Sequence, residues 1–167
     1  MTVFVFVGFG LLRAFLKTHS WASVAYTMLI GVLAFQLTIL AEGFWRMQLV
    51  TGVYSTIELT MESLLMGNLG AAAVLVSLGV LIGKCSLLQL WIVAFIEVAV
   101  YSLNAVVCRE MMFVADSGAL TVHVFGAYFG ITASYFFQPK KAIEDEENRC
   151  EGDYQSYLVG LMGTLFL

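Results

Sequence analysis

The chain has 167 residues, of which 60% are hydrophobic and only 12% are charged. A soluble domain of this length needs more polar surface than that, so the composition indicates a membrane protein whose surroundings are the lipid bilayer. The net charge of −4 and the scattered basic residues exclude the basic patch that nucleic-acid binding requires.

Six apolar segments follow one another along the chain. They are residues 2–16, 21–41, 63–83, 85–108, 117–139 and 154–167. Four of them have the length of about 20 residues that a helix needs to cross a hydrocarbon core of about 30 Å. Because backbone groups in lipid must be satisfied within the segment, each one is predicted to be a helix. The sequence therefore predicts an all-α, polytopic transmembrane bundle. The first and last segments are short, and we expect the chain to be part of a longer polytopic protein.

The charges between the segments predict the orientation of the bundle. Alternate loops lie on opposite faces, and the Lys and Arg residues divide six to two between these faces. The six are Arg13, Lys17, Lys84, Lys140, Lys141 and Arg149, and the two are Arg46 and Arg109. Positive residues mark the cytoplasmic side. We therefore expect the acidic loop 140–153 to be cytoplasmic and the region around Val50 to be extracellular.

Glycines four residues apart predict close contacts between helices. Small residues at this spacing let helix backbones approach each other in lipid. Gly79 with Gly83, and Gly126 with Gly130, have this spacing. Glycines that face lipid explain either pair about equally well.

His123 is an ionisable residue within a predicted span, where the cost of burial makes a function the first hypothesis. It lies seven residues after Asp116, which on an α-helix is about 10 Å along the axis and nearly the same face. A neutral imidazole has one donor and one acceptor with which to relay a proton. A hydrogen bond to a neighbouring helix explains His123 equally well, and Asp116 also suits a helix N-cap.

Glu97 lies in the middle of the fourth span. Gln89 is eight residues before it and Asn104 is seven residues after it, so the three side chains are candidates for one polar stripe along the helix. A glutamate that is hydrogen-bonded to an adjacent helix, or held neutral by burial, is the simpler interpretation.

The sequence has none of the common motifs of active or cofactor sites. It contains no Ser-His-Asp set, no HExxH zinc motif and no phosphate-binding glycine loop, and its only histidines are His19 and His123. Cys85, Cys108 and Cys150 are odd in number and far apart, which fits neither a disulfide framework nor a metal site. We therefore expect no enzyme activity, no catalytic residue, no metal and no cofactor.

The segment DSGALTVHVFGAYFG, residues 116–130, resembles the signature of the Rh branch of the ammonium transporter superfamily. VFVGFGLLRAFLK near the start, GVLIGKCSLLQL at 79–90 and GLMGTLFL at the end resemble further landmarks of that family in the same order. The resemblance implies the N-terminal portion of an eleven- or twelve-helix bundle, from its second helix to the start of its seventh. It also implies a multi-pass protein of the plasma membrane.

The resemblance also assigns roles to individual residues. Members of the family are trimers in which each protomer has its own pore for ammonia, with two histidines facing each other across it. His123 matches the first of these histidines, and Asp116 matches an acidic residue at the outer end of the same helix, although the family has one more residue between the two. Leu69 matches a phenylalanine gate fifteen positions before Lys84.

Two functions follow from the resemblance. The first is transport of ammonia or ammonium, by a homo- or hetero-trimer with other Rh proteins. The second is that of a non-conducting subunit, similar to the erythrocyte Rh blood-group polypeptides, which scaffolds a membrane complex. Leu69, together with HSWASVA at residues 19–25, favours the scaffold, whereas His123 favours transport.

Overall fold

The computed structural model describes residues 2–15, 20–114, 118–137 and 154–167. Its α-helices are α1 (Thr2–Leu12), α2 (Ser20–Arg46), α3 (Met61–Leu81), α4 (Leu87–Val106), α5 (Phe125–Phe136) and α6 (Tyr154–Phe166). A 3₁₀ turn, Arg13–Phe15, follows α1, and π-helical turns occupy Met47–Thr51, Val107–Met111 and Ala119–Val124. No strand occurs within these ranges, and the predicted all-α fold is confirmed.

Four stretches of helix are long and apolar enough to cross a membrane. They are Trp21–Thr51, Met61–Leu81, Leu87–Met111 and Ala119–Phe136. Each overlaps one of the four full-length sequence segments, and Trp21–Thr51 continues ten residues beyond the predicted segment 21–41. Helix α4 begins at Leu87, two residues later than the predicted segment 85–108. The reason is a capping box, in which Ser86 accepts from the backbone N–H of Gln89 and the Gln89 side chain accepts from that of Ser86. The acidic loop 140–153 lies outside the described residues.

The two short terminal helices pack against each other. A Cβ atom on Gly163 of α6 would collide with the backbone of Leu12 at the end of α1. A Cβ atom on Gly8 of α1 would lie 2.8 Å from the side chain of Leu167. These glycines allow α1 and α6 to approach more closely than side chains would permit.

Helix α3 is the centre of the bundle and contacts α2, α4 and α5. Its buried apolar side chains form one core with those of α2 and α4. The shared core includes Ile30 and Ala34 of α2, Ala71, Val74, Leu75 and Leu78 of α3, and Leu90, Ala94 and Val98 of α4. Many large apolar side chains on the outer faces are exposed, as expected of helices in contact with lipid.

Glycines determine how closely α5 approaches α3. A Cβ atom on Gly126 would lie 2.6 Å from the carbonyl oxygen of Ala73, and one on Gly130 would lie 2.8 Å from Cα of Ser77. Both distances are too short for real contacts, so only glycine fits at these positions without a shift of the backbone. The predicted close contact at Gly126 and Gly130 is confirmed.

The other predicted glycine pair was wrong, because α3 ends before its second member. Gly83 lies in the turn that follows α3 and has a φ of 86°, a conformation that glycine adopts readily. A Cβ atom on Gly79 would lie 3.7 Å from the nearest guanidinium atom of Arg13, which is an ordinary contact distance. That guanidinium is buried and donates to Thr27 Oγ1 at 2.9 Å. Gly79 therefore lies beside a buried polar contact but makes no close approach to another helix.

Two crossed ion pairs join α2 to the turn after α4. Glu42 pairs with Arg109 and Arg46 pairs with Glu110, each at 2.8 Å. The second and fourth loops therefore lie at the same end of the bundle, as the charge count assumed. Lys84, in the third loop, donates to Ser134 near the end of α5 at 2.5 Å. Lys84 precedes α4 and Arg109 follows α4. The contact of Lys84 and the two ion pairs therefore lie at opposite ends of that helix.

The contact at Gly130 provides a test of the packing. We expect Gly130→Ala to lower the free energy of unfolding by about 1 to 2 kcal/mol, because overpacking against Ser77 exceeds the gain in helix propensity. Gly10→Ala is the matched control, since its Cβ would lie in ordinary contact 3.5 Å from Val24. Thermal unfolding in detergent measures both variants. A Gly130→Ala protein as stable as Gly10→Ala would contradict the close contact.

Candidate functional site

His123 lies in the π-helical turn Ala119–Val124, directly before α5. The turn follows Gly118, whose φ of 96° lies in the left-handed region that glycine adopts readily. The side chain of His123 is exposed, while its neighbour Val122 is buried in an apolar cluster with Tyr101. The imidazole therefore points away from the packed core of the described helices.

The π-helical turn changes the expected relation between Asp116 and His123. A π-helix bonds each residue to the fifth one along, so a rotation of about 100° per residue does not apply across Ala119–Val124. The helix also begins only after Gly118, and Asp116 lies outside the described residues. A polar path shared by Asp116 and His123 stays a prediction.

Leu69, which the resemblance predicts to be at a gate, lies beside the start of the helix that carries His123. Its Cδ2 atom is 3.8 Å from the place that a Cβ on Gly118 would occupy. Leu69 is half-buried and packs against an apolar cluster between α3, α4 and the π-helical turn. The cluster contains Ala72, Ala73, Tyr101, Ala105 and Val122. The structure thus brings the gate position and the histidine turn together.

Glu97 is buried between α3 and α4. Only 1% of its surface is exposed, and its Oε2 atom lies 2.5 Å from the hydroxyl oxygen of Ser77 on α3. Its other oxygen, Oε1, has no hydrogen-bond partner within the part of the chain that the structure describes. Glu97 therefore forms a polar contact between helices inside the apolar core.

The two amide residues flanking Glu97 have separate partners. Asn104 is half-buried and accepts a hydrogen bond from the thiol of Cys108 at 3.6 Å. Gln89 is exposed and caps the start of α4 through Ser86. These hydrogen bonds do not link the three side chains of the stripe to one another, so a polar path along Glu97 and Asn104 stays a prediction.

The partner of Glu97 and the ion pairs between the ends of α2 and α4 were not predicted from the sequence. Ser77 is one of several small polar residues in the apolar segments. Its position in the sequence alone did not identify it as the partner of Glu97. Glu42 and Arg46 are one helical turn apart, as partners for an adjacent helix would be, and this was the available signal.

A cleft of about 350 Å³ lies next to the crossed ion pairs, between the end of α2 and the start of α3. Its charged lining consists of Glu42, Arg46, Glu58 and Glu62. Three carboxylates against one guanidinium give this cleft a negative potential, which favours cations over anions. Within the described ranges, no group of three or more His, Cys, Asp or Glu side chains is placed to hold a metal ion.

Comparison with known proteins identifies relatives along the whole chain. The profile of the Ammonium Transporter Family matches residues 1–167. Ammonium transporter Rh type B of Sus scrofa is 37% identical over 165 residues, which are 98% of this chain and 35% of that protein. The Rh type B protein of Oryctolagus cuniculus is 38% identical over the same shares of both chains. Ammonium transporter Rh type C of Pongo abelii is 34% identical over 166 residues, which are 99% of this chain and 34% of that relative.

The alignments therefore cover nearly all of this chain but only part of each relative. The chain spans about a third of the length of the curated relatives that it matches. The segments that resemble Rh landmarks and the exposed His123 are all included in the matched range. The chain belongs to the ammonium transporter family.

Proposed function

We propose that this chain is part of an Rh-type protein that transports ammonia or ammonium across the plasma membrane. The observation that carries the proposal is the match along nearly the whole chain to relatives named ammonium transporters. Four helices suited to crossing a membrane and an exposed intramembrane histidine support it. The proposal is made for the transport protein as a whole, because the matched relatives are about three times as long.

Cation recruitment is proposed at the end of the bundle that carries the crossed ion pairs. The acidic cleft between α2 and α3 attracts cations there, and the charge count places this end outside the cell. Ammonium is a cation and cannot enter the apolar core without a large loss of hydration. In this mechanism ammonium therefore releases its proton at the outer face.

Neutral ammonia is proposed to pass beside His123. A neutral imidazole can accept a hydrogen bond from ammonia at one nitrogen and donate one from the other. The aliphatic side chain of Leu69 and the surrounding alanines supply no charge that would stabilise ammonium at this depth. The second pore histidine implied by the family resemblance has no counterpart in this sequence, whose other histidine is His19. His123, Leu69 and Asp116 are the proposed pore residues.

The scaffolding function is the second candidate, and the comparisons favour it less than transport because the relatives are named as transporters. One observation still supports it. Leu69 is aliphatic and packed, and it offers no aromatic face for a cation. Under either function we propose that the chain assembles with other Rh proteins as a homo- or hetero-trimer, which would bury part of its exposed apolar surface.

The proposed orientation can be tested by cysteine labelling in intact cells. In a background without the native cysteines, we expect an impermeant thiol reagent to label Val50→Cys and not Glu146→Cys. The reason is the six-to-two division of basic residues, which places position 50 outside and position 146 inside. Labelling at 146 with none at 50 would reverse the orientation.

Transport by the 167-residue chain itself is the second test. We expect proteoliposomes that contain only this chain to show no ammonia-driven pH change above that of empty liposomes. The sequence supplies one intramembrane histidine and about a third of the length of its relatives. A flux above background that His123→Ala abolishes would contradict this expectation and would assign conduction to the chain alone.

The gate position provides the third test. If a conducting path lies beneath Leu69 in the full-length protein, we expect Leu69→Phe in that protein to tighten methylammonium binding by about tenfold, because an aromatic face near a desolvated cation contributes about 1 to 2 kcal/mol. Isothermal titration calorimetry in detergent measures the affinity, and thermal unfolding of the same samples measures stability. Leu65→Phe is the matched control, since Leu65 lies one turn earlier on α3 and is exposed.

The opposite result has its own physical explanation. Leu69 packs against the cluster of small side chains around Val122, so a larger ring there would overpack and lower stability by about 1 to 3 kcal/mol. Lower stability without tighter binding would reject a gate at this position. The scaffolding function would then be the better explanation of Leu69.

A further inference from the structure

The contact between Glu97 and Ser77 is a polar pair enclosed by three helices. Glu97 of α4 and Ser77 of α3 are 1% and 0% exposed. On the side of α5, Gly130 is so close that a Cβ there would lie 2.8 Å from Cα of Ser77. The pair is therefore shut off from both lipid and water by backbone and apolar side chains.

The number of protons available to this pair limits its charge state. Ser77 Oγ lies 2.9 Å from the carbonyl oxygen of Val74, which can only accept, and 2.5 Å from Oε2 of Glu97. A serine hydroxyl has a single proton to donate. If Ser77 donates to Val74, the contact with Glu97 is a hydrogen bond only when the carboxyl group supplies the proton.

The alternative arrangement leaves a charge without adequate compensation. Ser77 would donate to an ionised Glu97, the contact with Val74 would be lost, and Oε1 would stay unpaired among the described residues. A carboxylate with one hydrogen bond in a dry interior is much less stable than a hydrogen-bonded neutral acid. The geometry therefore favours the protonated form.

Ionisable groups on the surrounding helices are engaged elsewhere. Arg13, next to α3, donates to Thr27, and Lys84 at the end of α3 donates to Ser134. Arg109 pairs with Glu42, and Arg46 pairs with Glu110, beyond the end of α4. Tyr101, one turn along α4 from Glu97, packs its ring against that of Phe125. No ion pair recorded for the described residues includes Glu97.

We propose that Glu97 is a proton-binding site inside the membrane. Its carboxylic acid donates to Ser77 Oγ, and Ser77 donates in turn to the carbonyl oxygen of Val74, so that the bound proton links α4 to α3. The second oxygen, Oε1, is then the carbonyl oxygen of the acid, and it has no hydrogen-bond partner among the described residues. The proposal depends on the burial of this pair and not on the proposed transport of ammonia.

Infrared spectroscopy of the 167-residue chain in lipid vesicles at pH 7 tests the proposal. We expect a C=O stretching band of a neutral carboxylic acid that disappears in Glu97→Gln and persists in Glu110→Gln, whose glutamate is half-exposed and ion-paired. In Ser77→Ala the band is expected to shift to higher frequency, because the acid loses its acceptor. A wild-type spectrum without this band, or a band that Glu97→Gln leaves unchanged, would overturn the proposal.

If Glu97→Gln does not fold, the spectrum of the wild-type protein alone still tests the proposal. Carboxyl groups with ordinary pKa values near 4 are ionised at pH 7 and contribute no such band. Wild-type protein made with glutamate that carries ¹³C at its side-chain carboxyl is expected to show the band at lower frequency, because the band is assigned to a glutamate. A band that this labelling leaves unchanged would assign the neutral acid to another residue type and overturn the proposal.

Discussion

The close approach of α5 to α3 at Gly126 and Gly130 is the contact on which the rest of the structure depends. In lipid there is no hydrophobic force between helices, so association relies on van der Waals contact and on polar groups that have no other partner. The two glycines bring the backbones together, and this in turn encloses Ser77 against α4. Helix α3 is approached closely on a second face as well, since a Cβ atom on its Gly70 would collide with the side chain of Thr38 on α2.

The helices and their number were predictable from the sequence because membrane spans are defined by length and apolar content, which are properties of single segments. The four long spans follow from this alone. Boundaries were less accurate where a local cap decides them, as at Ser86, or where the helix continues past a charge, as α2 does at Glu42. A cap depends on hydrogen bonds between particular side chains and backbone groups, and average hydropathy does not contain that information.

The candidate site was only partly predictable. His123 and Glu97 were identified because an ionisable residue in an apolar segment is conspicuous. Their surroundings were not, since the sequence does not show that Ser77 faces Glu97 or that Leu69 lies next to Gly118. The assumption of regular helix also failed before His123, where Gly118 and a π-helical turn replace the expected α-helix. A π-helical turn changes the number of residues per turn. The helix face predicted for a residue from regular α-helical spacing is therefore wrong beyond such a turn.

His123 and Glu97 are placed in opposite environments, and this difference separates their proposed roles. His123 is exposed next to the buried Val122, so its imidazole is available to a molecule outside the described core. Glu97 is enclosed, and its hydrogen bond is made within the bundle. An accessible imidazole can exchange partners at little cost, whereas a change of partner at Glu97 would require α3 and α4 to separate. Two different apolar segments thus hold one polar side chain that is exposed and another that joins the helices around it.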